Sequence, residues 1–305
     1  MKRFAPFFVI LAASLWAIDG IVLRPVLYNL PVTLVVFIES TIVAVLLTPI
    51  LIINLKNLKE LELQDWFAFA GVALLGGAIG TMAITKALFY VDYINLSIVI
   101  LIQKLQPVFV IILARIFLKE KLSSKFFIWG GLAIIGAYFM TFGFSLPDMN
   151  AGDKIALAAL FALLAALSFS SSTVLSKQAL KNVSYELGTY LRFAFTSVIM
   201  FIIVIAAGTF NNITDISTTQ ISIFLLIAFT TGGPAIFLYY FGLKRISASV
   251  ASICELAFPL TAVILEYVIR GQILGPVQWV GASVLFFCIL KVTSIQQLNQ
   301  KQPVN

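Results

Sequence analysis

The chain has no histidine and only two cysteines. The first absence excludes a histidine-based proton relay and any catalytic triad built on imidazole. Cys254 and Cys288 each fall inside a long apolar run. Buried thiols there behave as small apolar side chains, so neither a structural disulfide nor a metal site is expected. Charge is scarce too: Asp, Glu, Lys and Arg make up 11% of the 305 residues, against 61% hydrophobic. A soluble domain of this length needs a polar surface that this composition does not supply. The longest polar inserts, 54–65 and 209–220, leave no room for a soluble output domain. The glycine-rich run from Gly76 to Gly80 has no Walker lysine, so it cradles no phosphate.

What the chain does have is length in apolar runs. They fall near 6–23, 31–53, 67–90, 94–118, 126–146, 155–175, 186–208, 221–242, 247–269 and 277–295. About 20 residues cross the hydrocarbon core as a helix. Strands of a β-barrel would be about half as long and would alternate. These runs do neither, so the chain reads as an all-α membrane protein with ten transmembrane helices. The other reading of the first run is a signal peptide, since Lys2 and Arg3 precede it. Asp19 and Arg24 near its end make no small-residue cleavage site.

The net charge of +7 is unevenly placed. With the N-terminus inside, Lys56, Lys59, Lys119, Lys121, Lys125, Lys177, Lys181, Lys244, Arg245 and Lys291 fall on inner segments, whereas Arg24, Lys154 and Arg270 fall on outer ones. The positive-inside rule then puts both termini in the cytoplasm of a bacterial-type inner membrane. The basic excess is topological and suits anionic headgroups, and no nucleic acid is implied.

The second five runs resemble the first five. In order, Trp16 falls opposite Phe169, Arg24 opposite Lys177, Glu39 opposite Arg192, Gly80 opposite Gly232, Ile94 opposite Ile246, Ser97 opposite Ser249, Pro107 opposite Pro259, Trp129 opposite Trp279, and Gly131 opposite Gly281. The offset drifts by only a few residues. The halves are 1–147 and 153–296, with a polar joint near Pro147 to Asp153 and a cytoplasmic tail at 297–305. Five is odd, so the second unit enters the bilayer upside down. Inverted repeats are the usual architecture of carriers that open alternately to each side.

The segments "ALFYVDYINLSIVILIQKLQPVFVIILARIFLKEKL" and "GLKRISASVASICELAFPLTAVILEYVIRGQ" resemble the EamA family of the drug/metabolite transporter superfamily. Pro107 and Glu120 match the family pattern in the first copy. Pro259 matches in the second, where Gln272 stands in place of the glutamate. The resemblance covers nearly the whole chain. It implies ten helices in two inverted five-helix repeats, and metabolite transport. It implies no particular substrate. An Arg at the Arg192 position is common in the family, and Glu39 departs from that pattern.

A charge at a helix centre costs about 2.5–3.5 kcal/mol to insert. Asp19, Glu39, Lys86, Lys104, Arg192 and Glu255 lie well inside the runs. Their balance of sign points to internal pairing or to a zwitterionic ligand. Glu39, Lys86 and Arg192 are expected as structural ion pairs or coupling residues. Lys104 and Glu255 precede Pro107 and Pro259, and Gln103 is the repeat equivalent of Glu255. Proline clashes with the carbonyl four residues earlier, so a kink should free an acceptor at Gln103 and at Glu255. The alternative is a kink for shape with Glu255 paired to Lys104. Trp16, Asp19 and Gly20 share a face of the first helix, opposite Phe169 and the hydroxyls of Ser172, Thr173 and Ser176. Tyr239 and Tyr240 are further aromatic candidates. The candidate substrate site is therefore Trp16, Asp19, Gln103, Lys104, Phe169, Tyr239 and Glu255. The glycines of the third and eighth helices read first as close packing and second as hinges.

The expectation is a secondary transporter, an exporter of amino acids or related amphipathic compounds. Lys104 would meet a carboxylate, and Asp19 or Glu255 an amine. An importer of organic cations or nucleotide-like metabolites is the alternative within the same fold. A membrane-embedded enzyme or sensor is the alternative of another class. Protons are a candidate coupling ion through Asp19, Glu39 or Glu255. No cofactor or metal is implied, and the oligomeric state is left open.

Overall fold

A computed structural model describes residues 4–90, 99, 102–144, 153–271 and 275–301. Eight helices among them are long and apolar enough to cross a membrane: α1 (Ala5–Leu27), α3 (Leu63–Ala87), α5 (Ser124–Phe142), α6 (Ala156–Ala179), α7 (Tyr185–Ala206), α8 (Thr218–Leu243), α9 (Ala248–Ile269) and α10 (Pro276–Ile295). Two shorter apolar helices stand where the second and fourth runs were expected, α2 (Val32–Leu46) and α4 (Gln106–Phe117). The second run is divided at Leu47, beyond which Pro49 opens a further short helix, Thr48–Ile53. The start of the fourth run, with Ile94 and Ser97, lies mostly outside the described residues, as do most of the joint near Pro147 and Gln272. No strand occurs among the described residues.

The surface is inverted relative to a soluble protein. Phe7, Val198, Ile202, Phe229, Val268 and Phe286 are exposed, while serines, threonines and small residues fill much of the interior. An apolar exterior is what a hydrocarbon solvent selects. Helix starts carry polar caps. Ser123, Ser184 and Ser247 accept hydrogen bonds from the backbone N–H groups of Phe126, Leu187 and Val250, and Ser217 forms a capping box with Gln220.

Packing follows a two-fold pattern. α1 packs on α8 and α9, and α6 on α3 and α4; α2 pairs with α7, and α5 with α10. Exchanging each helix for the one five places along leaves this set unchanged. At the α5–α10 crossing, a Cβ on Gly136 would stand 2.9 Å from the backbone N of Leu285, and one on Gly281 would stand 2.8 Å from the Gly136 carbonyl. Backbone therefore meets backbone there. The glycines of α3 likewise face side chains: Gly76 meets Ser172 and Arg192, Gly77 meets Thr196, and Gly80 meets the ring of Phe169.

Three stretches widen into π-helical turns: Asp19–Leu23 in α1, Ala73–Ile79 in α3 and Ala228–Gly232 in α8. The last two fall at corresponding places in the two halves. The first has no counterpart in α6, which is α-helical throughout. Such turns displace the backbone register and frequently accompany functional sites.

Candidate functional site

The helix breaks position the polar side chains. Pro107 lies in the first turn of α4, and Lys104 and Leu105 form a turn ahead of it. α9 is interrupted at Glu255–Leu256, and Pro259 lies in the first turn of the segment that follows. Here the structure corrects the expectation of a freed acceptor: Phe258 donates its N–H to the Glu255 carbonyl at 2.9 Å. The break turns the side chain inward without leaving that carbonyl open.

Glu255 is held from both halves. Tyr239 of α8 donates to its Oε1 at 2.7 Å, and Gln106 of α4 donates to its Oε2 at 3.0 Å. Thr173 of α6 stands 3.1 Å from the Tyr239 hydroxyl, so its own hydroxyl is free to donate there. The ring of Trp16 lies 5.3 Å from that of Tyr239. Beside this group, Tyr240 meets Ser176 at 2.9 Å, and Arg192 of α7 reaches the Tyr240 hydroxyl at 3.4 Å. Ser170 of α6 binds the Gln106 carbonyl at 3.2 Å. Five helices thus meet around one carboxylate, with an aromatic wall on one side.

Lys104 is buried, at 7% exposure. It takes part in neither of the two ion pairs found among the described residues, both of which belong to Arg24. The alternative of a Lys104–Glu255 pair is therefore not what the structure contains. Gln103, ahead of the turn that precedes α4, donates to the Ala162 carbonyl at 2.9 Å and is tied to α6. Phe169 packs on Gly80, not on Tyr239. Lys86 is exposed on the outside of α3.

Asp19 and Glu39 converge on Arg24. The guanidinium donates to Asp19 Oδ2 at 2.9 and 2.5 Å and lies 3.1 Å from Glu39 Oε2. Glu39 is thus paired with Arg24 and not with Arg192, its repeat equivalent. Arg192 instead faces Tyr240, 5.9 Å from its ring centre. Arg24 was missed because it reads as a loop cation past the end of a span. The π turn at Asp19–Leu23 carries it back, since i and i+5 share a face there.

At one end of the molecule a carboxylate from the first half is hydrogen-bonded to the second. Glu120, after α4, accepts from the N–H groups of Ala248 and Ser249 at 2.7 and 3.2 Å and from the Ser249 hydroxyl at 2.6 Å. A carboxylate on a helix N-terminus is favoured by the helix dipole and by the free N–H groups. This gives the family-pattern glutamate a physical role. Lys177 donates to the carbonyls of Leu243 and Lys244 at the same end, at 2.8 and 3.1 Å.

Among the described residues no cluster of Cys, Asp and Glu is placed to hold a metal ion. Cys254 and Cys288 are free and buried.

The many apolar helices among the described residues make this a multi-pass membrane protein, and a polar centre among them is the frame of a membrane transporter. The chain belongs to the EamA-like transporter family, whose model matches residues 3–142 and 156–294. It is similar to the riboflavin transporter ImpX of Fusobacterium nucleatum subsp. nucleatum, 45% identical over 288 residues that span 94% of this chain and 96% of the relative. It is also similar to the uncharacterized transporter sll1164 of Synechocystis, 27% identical over 76% of this chain and 66% of the relative. A solved crystal structure matches with a TM-score of 0.72 over 100% of this chain and 99% of the other, at 14% identity, which speaks for the fold alone.

Proposed function

We propose that this chain is a carrier, not an enzyme, that moves riboflavin across the inner membrane by alternating access, in the importing direction. The observation that carries the reading is the joint presentation of an aromatic wall and a polar edge. Trp16 and Tyr239 supply the wall, and Glu255 and Gln106 the edge. An isoalloxazine ring is planar and apolar across its face and hydrogen-bonds along one edge. Stacking on an aromatic pair and bonding to an amide–carboxylate pair suit that shape. Lys104 suits the carbonyl side of the same edge, and the hydroxyls of Thr173 and Ser176 suit the ribityl chain. The likeness to a riboflavin transporter over nearly the full length of both proteins supports this substrate over the amino acids expected first.

The same reading has ten passes with both termini in the cytoplasm, arranged as two inverted repeats. Two stretches matched by one family model, and packing partners that exchange between halves, support it. So does the gathering of Lys177, Lys181 and Lys244 at the end expected inside. A reporter fused after residue 60, 123 or 298 is expected in the cytoplasm, and one near residue 150 outside. An outside result at 298 would remove the ten-pass arrangement.

The substrate is tested by expressing the chain in a riboflavin-requiring bacterium that lacks its own carrier. Growth on low riboflavin is expected, and loss of that growth in Glu255→Gln with the protein still in the membrane. A panel of amino acids and organic cations supplied to the same cells separates the rivals. Turnover of any substrate by detergent-purified protein would sink the carrier reading.

A further inference from the structure

We propose that Asp19, set against Arg24 and Glu39, is a proton-binding site that couples transport to the proton gradient, separate from the Trp16–Glu255 centre. The inference rests on the carrier reading but not on the stacking geometry. Three charges are gathered where α1 meets α2, one cation and two carboxylates. Ionised, the group carries one excess negative charge in an interior from which water is largely excluded. One proton on either carboxylate makes it neutral.

A second observation says which atom is open. Asp19 is 7% exposed, and its Oδ1 is buried with no hydrogen-bond partner, although Oδ2 takes Arg24. A carboxylate oxygen accepts and cannot donate, whereas a protonated one donates. A proton on Oδ1 therefore forms an O–H that the ionised cluster lacks. Thr231 Oγ1 is likewise buried without a partner among the described residues. It lies in the π turn of α8 next to Gly232, where a Cβ would stand 3.6 Å from Glu39 Oε1.

The charges that act on Arg24 and Glu39 are one another and Asp19. Among the described residues, the groups seen against the cluster from other elements are neutral. Tyr28 and Thr85 line a small cleft with Arg24, and Phe258 of α9 approaches Gly20. The guanidinium repels a metal cation and already occupies the centre, so the ligand the cluster accepts is a proton and not sodium. The Asp19 turn is the π-helical segment without a counterpart in the other half, so the site is single in a two-fold scaffold. Protonation releases Arg24 to Glu39 alone, which is a change a helix junction can transmit.

The test uses full-length protein in proteoliposomes. An acid-outside gradient is expected to drive riboflavin accumulation several-fold above equilibrium, with protons entering alongside. Asp19→Asn is expected to abolish the stimulation while keeping riboflavin counterflow, with Glu39→Gln as the second variant if the first does not fold. Riboflavin flux that moves no protons in the wild type, or stimulation by a sodium gradient alone, would overturn the proposal. Intact counterflow without gradient stimulation defeats the coupling and leaves the substrate reading standing. Absent counterflow defeats the substrate reading, and the coupling site is then read without substrate. Purified wild type in weakly buffered detergent should bind a proton on acidification that Asp19→Asn does not, and equal uptake by the two would overturn the site.

Discussion

Gln106 and Glu255 come from opposite halves of the chain and are joined by a 3.0 Å hydrogen bond at two helix breaks. Tyr239 takes the other carboxylate oxygen. Any rearrangement that moves one half against the other must break or remake this junction, which places the carboxylate where binding and opening are felt together.

Tyr239→Phe removes the donor to Glu255 Oε1 and leaves that oxygen under-satisfied. Leaving a buried acceptor without its partner costs about 1–3 kcal/mol. Riboflavin binding should weaken roughly tenfold or more, by that same estimate. Thermal stability in detergent should fall by a few degrees. Titration of flavin fluorescence against the wild type and Tyr239→Phe checks this, and an unchanged affinity would remove Tyr239 from the site.

Trp16→Ala removes the second ring of the wall. Stacking of a planar base on an aromatic side chain is worth about 1–3 kcal/mol. Affinity should drop accordingly, and the quenching of flavin emission on binding should shrink. Trp16→Phe should restore most of the affinity and less of the quenching. Equal quenching in all three proteins would count against stacking at this ring.

Lys104→Met separates a substrate contact from a structural one. Lys104 is buried and takes part in neither ion pair among the described residues, so removing its charge relieves a desolvation cost. Stability is expected to hold or rise while transport falls. A large loss of folded protein would show instead that the ammonium supports the fold.

Glu120→Ala removes the carboxylate that accepts from the first N–H groups of α9, while the N-cap Ser247 stays in place. Losing a side-chain acceptor at a helix start costs about 0.5–2 kcal/mol. The end it joins should open more readily, seen as faster labelling of a cysteine placed at Ser249. Glu120→Gln should recover part of the effect, since an amide oxygen still accepts from the N–H groups. No change in labelling would leave Glu120 as an ordinary surface residue.

Gly281→Val drives a side chain into the α5 backbone. Overpacking costs about 1–3 kcal/mol where neighbours can shift, and backbone cannot shift cheaply. Yield of folded protein should fall sharply. Gly131→Ala is the control, because nothing lies within 4 Å of its added Cβ. Similar yields for both would contradict the packing at the α5–α10 crossing.

The helical membrane class was legible because apolar runs of this length have few other solutions. Particular residues show where reading stopped. Trp16, Tyr239 and Glu255 were singled out by type and depth, and the structure brings them together. Gln103 was chosen as the repeat equivalent of Glu255. The turn at Lys104–Leu105 resets the helical phase, so Gln106 makes the contact and Gln103 turns to α6. Asp19 was read with Trp16 because i and i+3 share an α-helical face. That spacing is α-helical, but the π turn that begins at Asp19 changes the spacing beyond it and brings the unread Arg24 back onto Asp19. Both misses come from local departures from 3.6 residues per turn, which a periodicity argument assumes throughout.

Transport of riboflavin by the isolated protein is the decisive measurement. Purified chain reconstituted into liposomes should take up labelled riboflavin faster than empty liposomes do, with saturation and with competition by unlabelled riboflavin, and Glu255→Gln should lower the rate at least tenfold. Uptake equal to that of empty liposomes, from protein shown to be folded and inserted, would contradict that transport.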